Sequence, residues 1–141
     1  MLATPRLTDA RILVVDDERV NVVLLERILD QDGYRNVKSV TDPSEAVALF
    51  DQFEPDLVLL DLHLPDMPGQ EVLRRLRAQA RTANVPVVIL SADARPALIN
   101  ELLAQGVRAF LTKPLDVREL LELLDSIAAE LQPTGALPGR S

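Results

Sequence analysis

Asp56-Leu57-Val58-Leu59-Leu60-Asp61-Leu62-His63-Leu64-Pro65 is the stretch on which the fold turns: four consecutive apolar residues run into a carboxylate, and the chain soon breaks at a proline. A short apolar run without alternation, bounded by charge and proline, reads as a strand buried on both faces, the kind found in parallel sheets covered by helices on each side. Asp61 then stands at the strand's carboxyl end. In open α/β sheets that edge binds ligands, because neighbouring loops diverge there and leave a crevice where the strand order reverses. An aspartate that simply turns the chain is the plainer reading, so the weight of Asp61 depends on what other strands bring to the same edge.

Outward from this stretch the pattern repeats. Ile12-Leu13-Val14-Val15 is a second apolar run, ending in Asp16 and Asp17; Val20, Val23, Leu24, Ile28 and Leu29 then recur near helical spacing up to Gly33, a residue suited to helix ends. Val37 to Val40 forms a weaker strand, and Asp42-Pro43-Ser44-Glu45 is a capping box with proline at the first helical position, opening a helix with Ala46, Leu49, Phe50 and Phe53 on one face. After the central strand, Pro65-Asp66-Met67-Pro68-Gly69 imposes turns. Val72, Leu73, Leu76 and Ala80 mark a third helix, Val87 to Leu90 a strand ending in Ser91, and Leu98, Ile99, Leu102 and Leu103 a fourth helix reaching Gly106. Ala109 to Thr112 gives a fifth strand ending at Lys113-Pro114. Asp116 and Glu119 form a second capping box, with Val117, Leu120, Leu121, Leu124, Ile127, Ala128 and Leu131 tracing the last helix. Five strands alternating with five helices predict an α/β fold, a doubly wound five-stranded parallel sheet with right-handed crossovers and helices on both faces.

Composition agrees and excludes several function classes. At 141 residues the chain suits one domain; 48% hydrophobic and 26% charged residues are ordinary for a folded protein, and with 3% aromatics the core must be built from Leu, Val, Ile and Ala. A net charge of -7 gives no basic footprint for direct nucleic-acid contact or an anionic membrane surface. The absence of Cys rules out disulfides and thiolate metal sites. No stretch approaches a membrane span, and Met1 to Ala10 lacks the apolar core of a secretory signal, so a soluble, cytoplasmic protein is expected. The expected organisation is a flexible segment over 1–10, the domain over 11–131, and a Pro- and Gly-rich tail or linker over 132–141.

The predicted strand ends carry Asp16 and Asp17, Asp61, Ser91 and Lys113. Clustered carboxylates repel: two unit charges 4 Å apart cost about 4 kcal/mol at an effective dielectric near 20. Such a cluster wants a cation, and oxygen ligands that leave water on the metal suit Mg²⁺ better than a Ca²⁺ cage. Lys113 adds a positive charge suited to a phosphoryl oxygen, and the Ser91 hydroxyl can donate to another. Together these would hold a phosphoryl group.

On these residues the sequence resembles the receiver domain of two-component response regulators, from about Arg11 to Leu131. Val15-Asp16-Asp17-Glu18 is similar to the family's acidic pair, Leu60-Asp61 to its phosphoacceptor strand end, Leu64-Pro65 with Gly69 to the loop that follows, Ser91-Ala92 to its hydroxyl position and Lys113-Pro114 to its lysine with a cis-prone proline. The resemblance implies a strand order 2-1-3-4-5. It also implies that Asp61 takes a phosphoryl group from a histidine kinase, a histidine phosphotransfer protein or a small acyl phosphate, becoming an aspartyl phosphate. Asp17 and Asp61 would ligate Mg²⁺ directly and Asp16 mostly through water, with the backbone carbonyl of His63 completing the set. Lys113 would bridge to phosphoryl oxygens; Ser91 would swing toward them and Phe110 turn inward, changing the surface of the fourth helix, fifth strand and fifth helix. His63 and Asp93, two residues beyond Asp61 and Ser91, stand where the family varies side chains that tune the lifetime of the phosphoryl group. The implied role is a signalling phosphoacceptor that assists only its own phosphorylation and dephosphorylation.

Two positions depart from the family pattern, the first bearing on partners and the second on the shape of the loop. Arg108 stands where many DNA-binding members carry an acidic residue used in a dimer salt bridge, which sets the homodimer mode in question, and Pro68 replaces a usual acidic residue before Gly69. Other classes fit less well. An aspartate-nucleophile phosphohydrolase wants two aspartates separated by one residue and followed by Thr, which Asp16-Asp17-Glu18 does not supply. A flavin module needs a hydroxyl- and Gly-rich loop where Glu18-Arg19-Val20 stands. A receiver-like adaptor that never takes phosphate stays open, as do a stand-alone relay and the receiver piece of a longer regulator with an output domain or of a hybrid kinase.

Overall fold

In the computed structural model, which describes residues 9–80 and 82–131, the predicted alternation is present throughout. Strands β1 (Arg11–Val15), β2 (Asn36–Val40), β3 (Leu57–Asp61), β4 (Val87–Ser91) and β5 (Ala109–Thr112) alternate with helices α1 (Arg19–Gln31), α2 (Pro43–Phe53), α3 (Gly69–Ala78), α4 (Pro96–Ala104) and α5 (Val117–Leu131). The strands form one parallel sheet in the order β2-β1-β3-β4-β5. The expected flexible ends, 1–10 and 132–141, lie outside the described residues except for Asp9 and Ala10.

The uninterrupted apolar strands are explained by the two cores they separate. Ile12, Val14, Leu57, Leu59, Val88, Leu90 and Leu111 face one way, against Leu25 and Leu29 of α1 and Leu120, Leu124 and Ile127 of α5. Leu13, Val15, Val58, Leu60, Val87 and Ile89 face the other, against Phe50 of α2, Leu73 and Leu76 of α3 and Leu102 of α4. Successive side chains of a strand point to opposite faces, so a sheet covered on both sides needs apolar residues at every position.

Helix ends follow local chemistry. The Asp42 carboxylate accepts from the Ser44 N–H at 2.9 Å with Pro43 opening α2, and the Asp116 carboxylate accepts from the Glu119 N–H at 3.1 Å ahead of α5. Gly33 (φ 98°) and Gly106 (φ 91°) take the left-handed turn that lets Tyr34 N–H reach Leu29 O and Val107 N–H reach Leu102 O, closing α1 and α4.

The readings of four helices need correction. The inward face of α1 is Val22, Leu25, Ile28 and Leu29, leaving Val20, Val23 and Leu24 exposed. Helix α3 ends at Ala78 rather than Ala80, because the Thr82 hydroxyl and the Gln79 N–H both turn back onto the Leu76 carbonyl. Leu103 of α4 and Val117 of α5, placed on periodic apolar faces, point outward.

Candidate functional site

Strand register sets the site. Val15 is level with Leu60, Asp61 with Leu90, and Ser91 with Thr112, so the residues that end β1, β3, β4 and β5 emerge along one rim. One carboxylate oxygen from each of Asp16, Asp17 and Asp61 lies within 4.8 Å of the others. Asp16 is fully buried and Asp61 nearly so, while Asp17 is exposed. The Lys113 ammonium reaches between the two buried carboxylates, donating to Asp16 Oδ2 at 3.0 Å and to Asp61 Oδ2 at 3.2 Å. The remaining oxygens are held by backbone: Asp16 Oδ1 accepts from the Glu18 N–H at 2.9 Å and Asp61 Oδ1 from the His63 N–H at 3.1 Å.

Lys113 is aimed by its own backbone. Its N–H donates to the Ser91 carbonyl at 2.9 Å, extending the β4–β5 pairing by one residue, and the Lys113–Pro114 peptide is cis. Ser91 is buried at the end of β4, and its hydroxyl oxygen accepts from the Asp93 N–H at 3.0 Å. Across the rim, the β3–α3 loop folds back so that Gly69 N–H meets Leu62 O at 3.0 Å. A Cβ on Gly69 would lie 2.7 Å from both the Asp61 carbonyl oxygen and the Leu62 Cα, so only glycine fits against the backbone that carries Asp61.

The electrostatics follow from burying like charges together. Burial, and to a lesser degree the neighbouring Asp16 charge, push the Asp61 carboxyl above the ordinary carboxylate range, against the His63 N–H and Lys113. Burial works against the Lys113 ammonium, yet its hydrogen bonds and charge interactions with Asp16 and Asp61 outweigh that and hold its pKa above the usual lysine value. Three carboxylates face one ammonium, which leaves two negative charges at the rim. An all-oxygen donor set with that residual charge fits a hard divalent cation.

The remaining sequence-predicted residues are spread around this centre. His63 is exposed on the β3–α3 loop, and Asp93 sits opposite on the β4–α4 loop, both lining a cleft of about 390 Å³ that also touches Leu62, Asp66 and Arg95. Phe110 is partly buried and packs against the α2–α3–α4 core. Arg108 forms a two-point ion pair with Glu130 of α5, so its charge is satisfied within the chain. Sequence reading passed over Arg95, whose guanidinium grips Asp93 through three hydrogen bonds of 2.7 to 3.0 Å. An acid and a base two residues apart at a helix start were the available signal.

Comparison with known proteins gives the same picture. A family model described as "Response regulator receiver domain" matches residues 12–125. The sensory/regulatory protein RpfC of Xanthomonas campestris pv. campestris is 35% identical over 125 residues, covering 87% of this chain but 17% of RpfC. The protein PilH of Pseudomonas aeruginosa is 33% identical over 120 residues, covering 85% of this chain and 98% of PilH. Among solved structures, the receiver domain of the sensor histidine kinase PA1611 of Pseudomonas aeruginosa, which has a magnesium ion coordinated in its active site cleft, superposes with a TM-score of 0.75 at 33% identity, covering 84% of this chain and 96% of that one.

Proposed function

Because the chain belongs to the response regulator receiver domain family of two-component systems, we propose that it works as a phosphoacceptor, taking a phosphoryl group onto Asp61 from a histidine kinase or histidine phosphotransfer protein in a Mg²⁺-dependent reaction. The observation that carries this reading is the Lys113 ammonium, 3.2 Å from an Asp61 carboxylate that lies within 4.8 Å of two more. An Asp61 carboxylate oxygen attacks phosphorus as the bond from phosphorus to the donor's imidazole nitrogen breaks, the electron pair leaving with the imidazole. A carboxylate is a weak nucleophile, so the site acts by positioning and by charge neutralisation. Lys113, 3.2 Å from Asp61 Oδ2, would meet a negative oxygen of a phosphoryl group carried there. The Ser91 oxygen accepts from the Asp93 N–H, which leaves its proton to give to a second phosphoryl oxygen.

Asp16, Asp17 and Asp61, with the His63 carbonyl, would hold Mg²⁺, which supplies electrophilic charge to the transferring group. When Ser91 moves toward the phosphoryl group, Phe110, level with Ile89 on the neighbouring strand, turns inward, and the change in that ring's packing re-forms the surface of α4, β5 and α5. His63 and Asp93 flank the approach of water to the phosphoryl group and tune its lifetime.

The partner follows from the reaction. A protein-borne histidine must be brought over Asp61, and α1, which starts at that rim, exposes Val20, Val23 and Leu24 along its outer side. This apolar strip is the seat for the donor's histidine-bearing helix. Val20→Glu should slow transfer from a protein donor while leaving acetyl phosphate labelling unchanged.

The test of the function is incubation with acetyl phosphate, with Mg²⁺ or with a chelator, read as intact mass. One phosphoryl group should appear on the native chain only with Mg²⁺ and be absent from Asp61→Asn. Labelling that survives Asp61→Asn at full extent would overturn the assignment, and no labelling of the native chain would favour a receiver-like adaptor.

A further inference from the structure

The loop after β4 carries a charge device that the phosphoacceptor chemistry does not require. The Arg95 guanidinium donates to both oxygens of Asp93, at 2.9, 3.0 and 2.7 Å, and the Arg95 N–H adds a fourth bond to Asp93 Oδ1 at 3.2 Å. The Asp93 N–H is tied in turn to the Ser91 hydroxyl, and Arg95 itself precedes Pro96, the first residue of α4. Asp93 is therefore fixed from both sides. The pair lines one wall of the cleft of about 390 Å³ whose other wall includes Leu62 and His63, the residues that follow Asp61. His63 and Asp66 are the ionisable groups opposite.

An exposed ion pair adds little to stability, and Arg95 is largely solvent-exposed. Its consequence is electrostatic. The rim already holds three carboxylates against one ammonium, and an uncompensated Asp93 would add a further negative charge on a wall that shares its cleft with His63, two residues beyond Asp61. With Arg95 in place that wall is neutral.

Resting on the phosphoacceptor reading above, we infer that Arg95 is a positioning and specificity residue that neutralises Asp93 at the mouth of the cleft, and so sets how well strongly anionic small phosphodonors compete with less charged ones. In the step concerned, the bond from an Asp61 oxygen to phosphorus forms as the bond from phosphorus to the leaving atom breaks. Acetate leaves acetyl phosphate with the electron pair, and ammonia leaves phosphoramidate, whose nitrogen already carries the proton at neutral pH. Acetyl phosphate is then a dianion and phosphoramidate carries one negative charge net, so a charge on the wall weighs about twice as heavily on the first.

The experiment measures both labelling rates on the full chain with Mg²⁺. Arg95→Gln should slow acetyl phosphate about fourfold and phosphoramidate about twofold, the scale expected of a single charge acting through water over several ångströms. Asp93→Asn, which leaves Arg95 unopposed, should shift both rates in the opposite sense. Arg95→Lys should restore the native ratio of the two rates, as should the double variant Asp93→Asn with Arg95→Gln. The Arg95→Gln effect should shrink as ionic strength rises from about 0.05 to 0.5 M. A purely structural role slows both donors by the same factor, and that result, or indifference to salt, overturns the inference while the phosphoacceptor reading stands. A native chain that accepts from neither donor overturns both.

Discussion

Lys113→Met removes the ammonium from between two buried carboxylates and keeps most of the aliphatic stem, so it isolates the charge. Asp16 is fully buried, Asp61 is 3% exposed and the lysine side chain 17% exposed. Removing one partner of a buried ion pair costs about 3–5 kcal/mol because the other charge is stranded. The partial exposure of Lys113, and the freedom of Asp61 to take up a proton, reduce that to about 2–3 kcal/mol at neutral pH in chelator, a fall of roughly 6–12 °C in Tm for a domain of this size. A divalent cation supplies the missing charge and so binds the variant more tightly than the native chain; the deficit should therefore narrow as Mg²⁺ is added, by the difference between the two chains in RT ln(1 + [Mg²⁺]/Kd). Urea unfolding with and without Mg²⁺ reads both numbers, and acetyl phosphate labelling, which also needs the lysine's contact with the phosphoryl group, should stay low in either. A variant as stable as the native chain in chelator, or a deficit indifferent to Mg²⁺, would refute the claim that this lysine balances the carboxylate cluster.

Other outcomes follow from the same geometry. Gly69→Ala pits helix propensity, which favours alanine by about 1 kcal/mol, against two backbone atoms 2.7 Å from the added carbon; the clash should win, with a net loss of about 1–2 kcal/mol in urea unfolding, and a gain in stability would contradict it. Since the folded-state pKa of Asp61 is raised mainly by burial, the folded native chain binds more protons than the unfolded one and loses stability as pH rises from the ordinary carboxylate value through the raised one. Asp61→Asn lacks that loss, so in chelator its stability advantage should grow across this window and then level off; a constant or shrinking advantage would show that burial is not the cause. His63→Ala should change the rate of dephosphorylation more than that of phosphorylation, and equal changes in both would remove His63 from the path of water.

How much of this was legible in the sequence varies with the physics of each part. The strands were plain, because a sheet covered on both faces leaves nowhere for a polar residue between Leu57 and Leu60 or between Val87 and Leu90. Capping boxes at Asp42 and Asp116 were equally readable, since they are local hydrogen bonds between near neighbours. The inward face of α1 was not: Val20, Val22, Val23, Leu24, Leu25, Ile28 and Leu29 surround much of the helix, so periodicity alone could not say which side the sheet takes. The end of α3 depended on the Thr82 hydroxyl returning to Leu76, a contact with no periodic signature. At the rim, residue types suggested the chemistry, but the convergence of Asp16, Asp61 and Lys113 is a matter of strand order, which came from family resemblance rather than from spacing. Arg95 escaped notice because an exposed arginine at a helix start is ordinary until its hold on Asp93 is seen.

Everything proposed for this rim requires the phosphoryl group to land on the β3 carboxylate. Trapping the labelled chain with borohydride, which reduces an acyl phosphate to an alcohol, and mapping the peptides by mass spectrometry tests it most directly. Homoserine should appear at position 61 with Asp16 and Asp17 intact; reduction at Asp16 or Asp17, or a borohydride-resistant phosphate on Ser91, would put the phosphoryl group elsewhere.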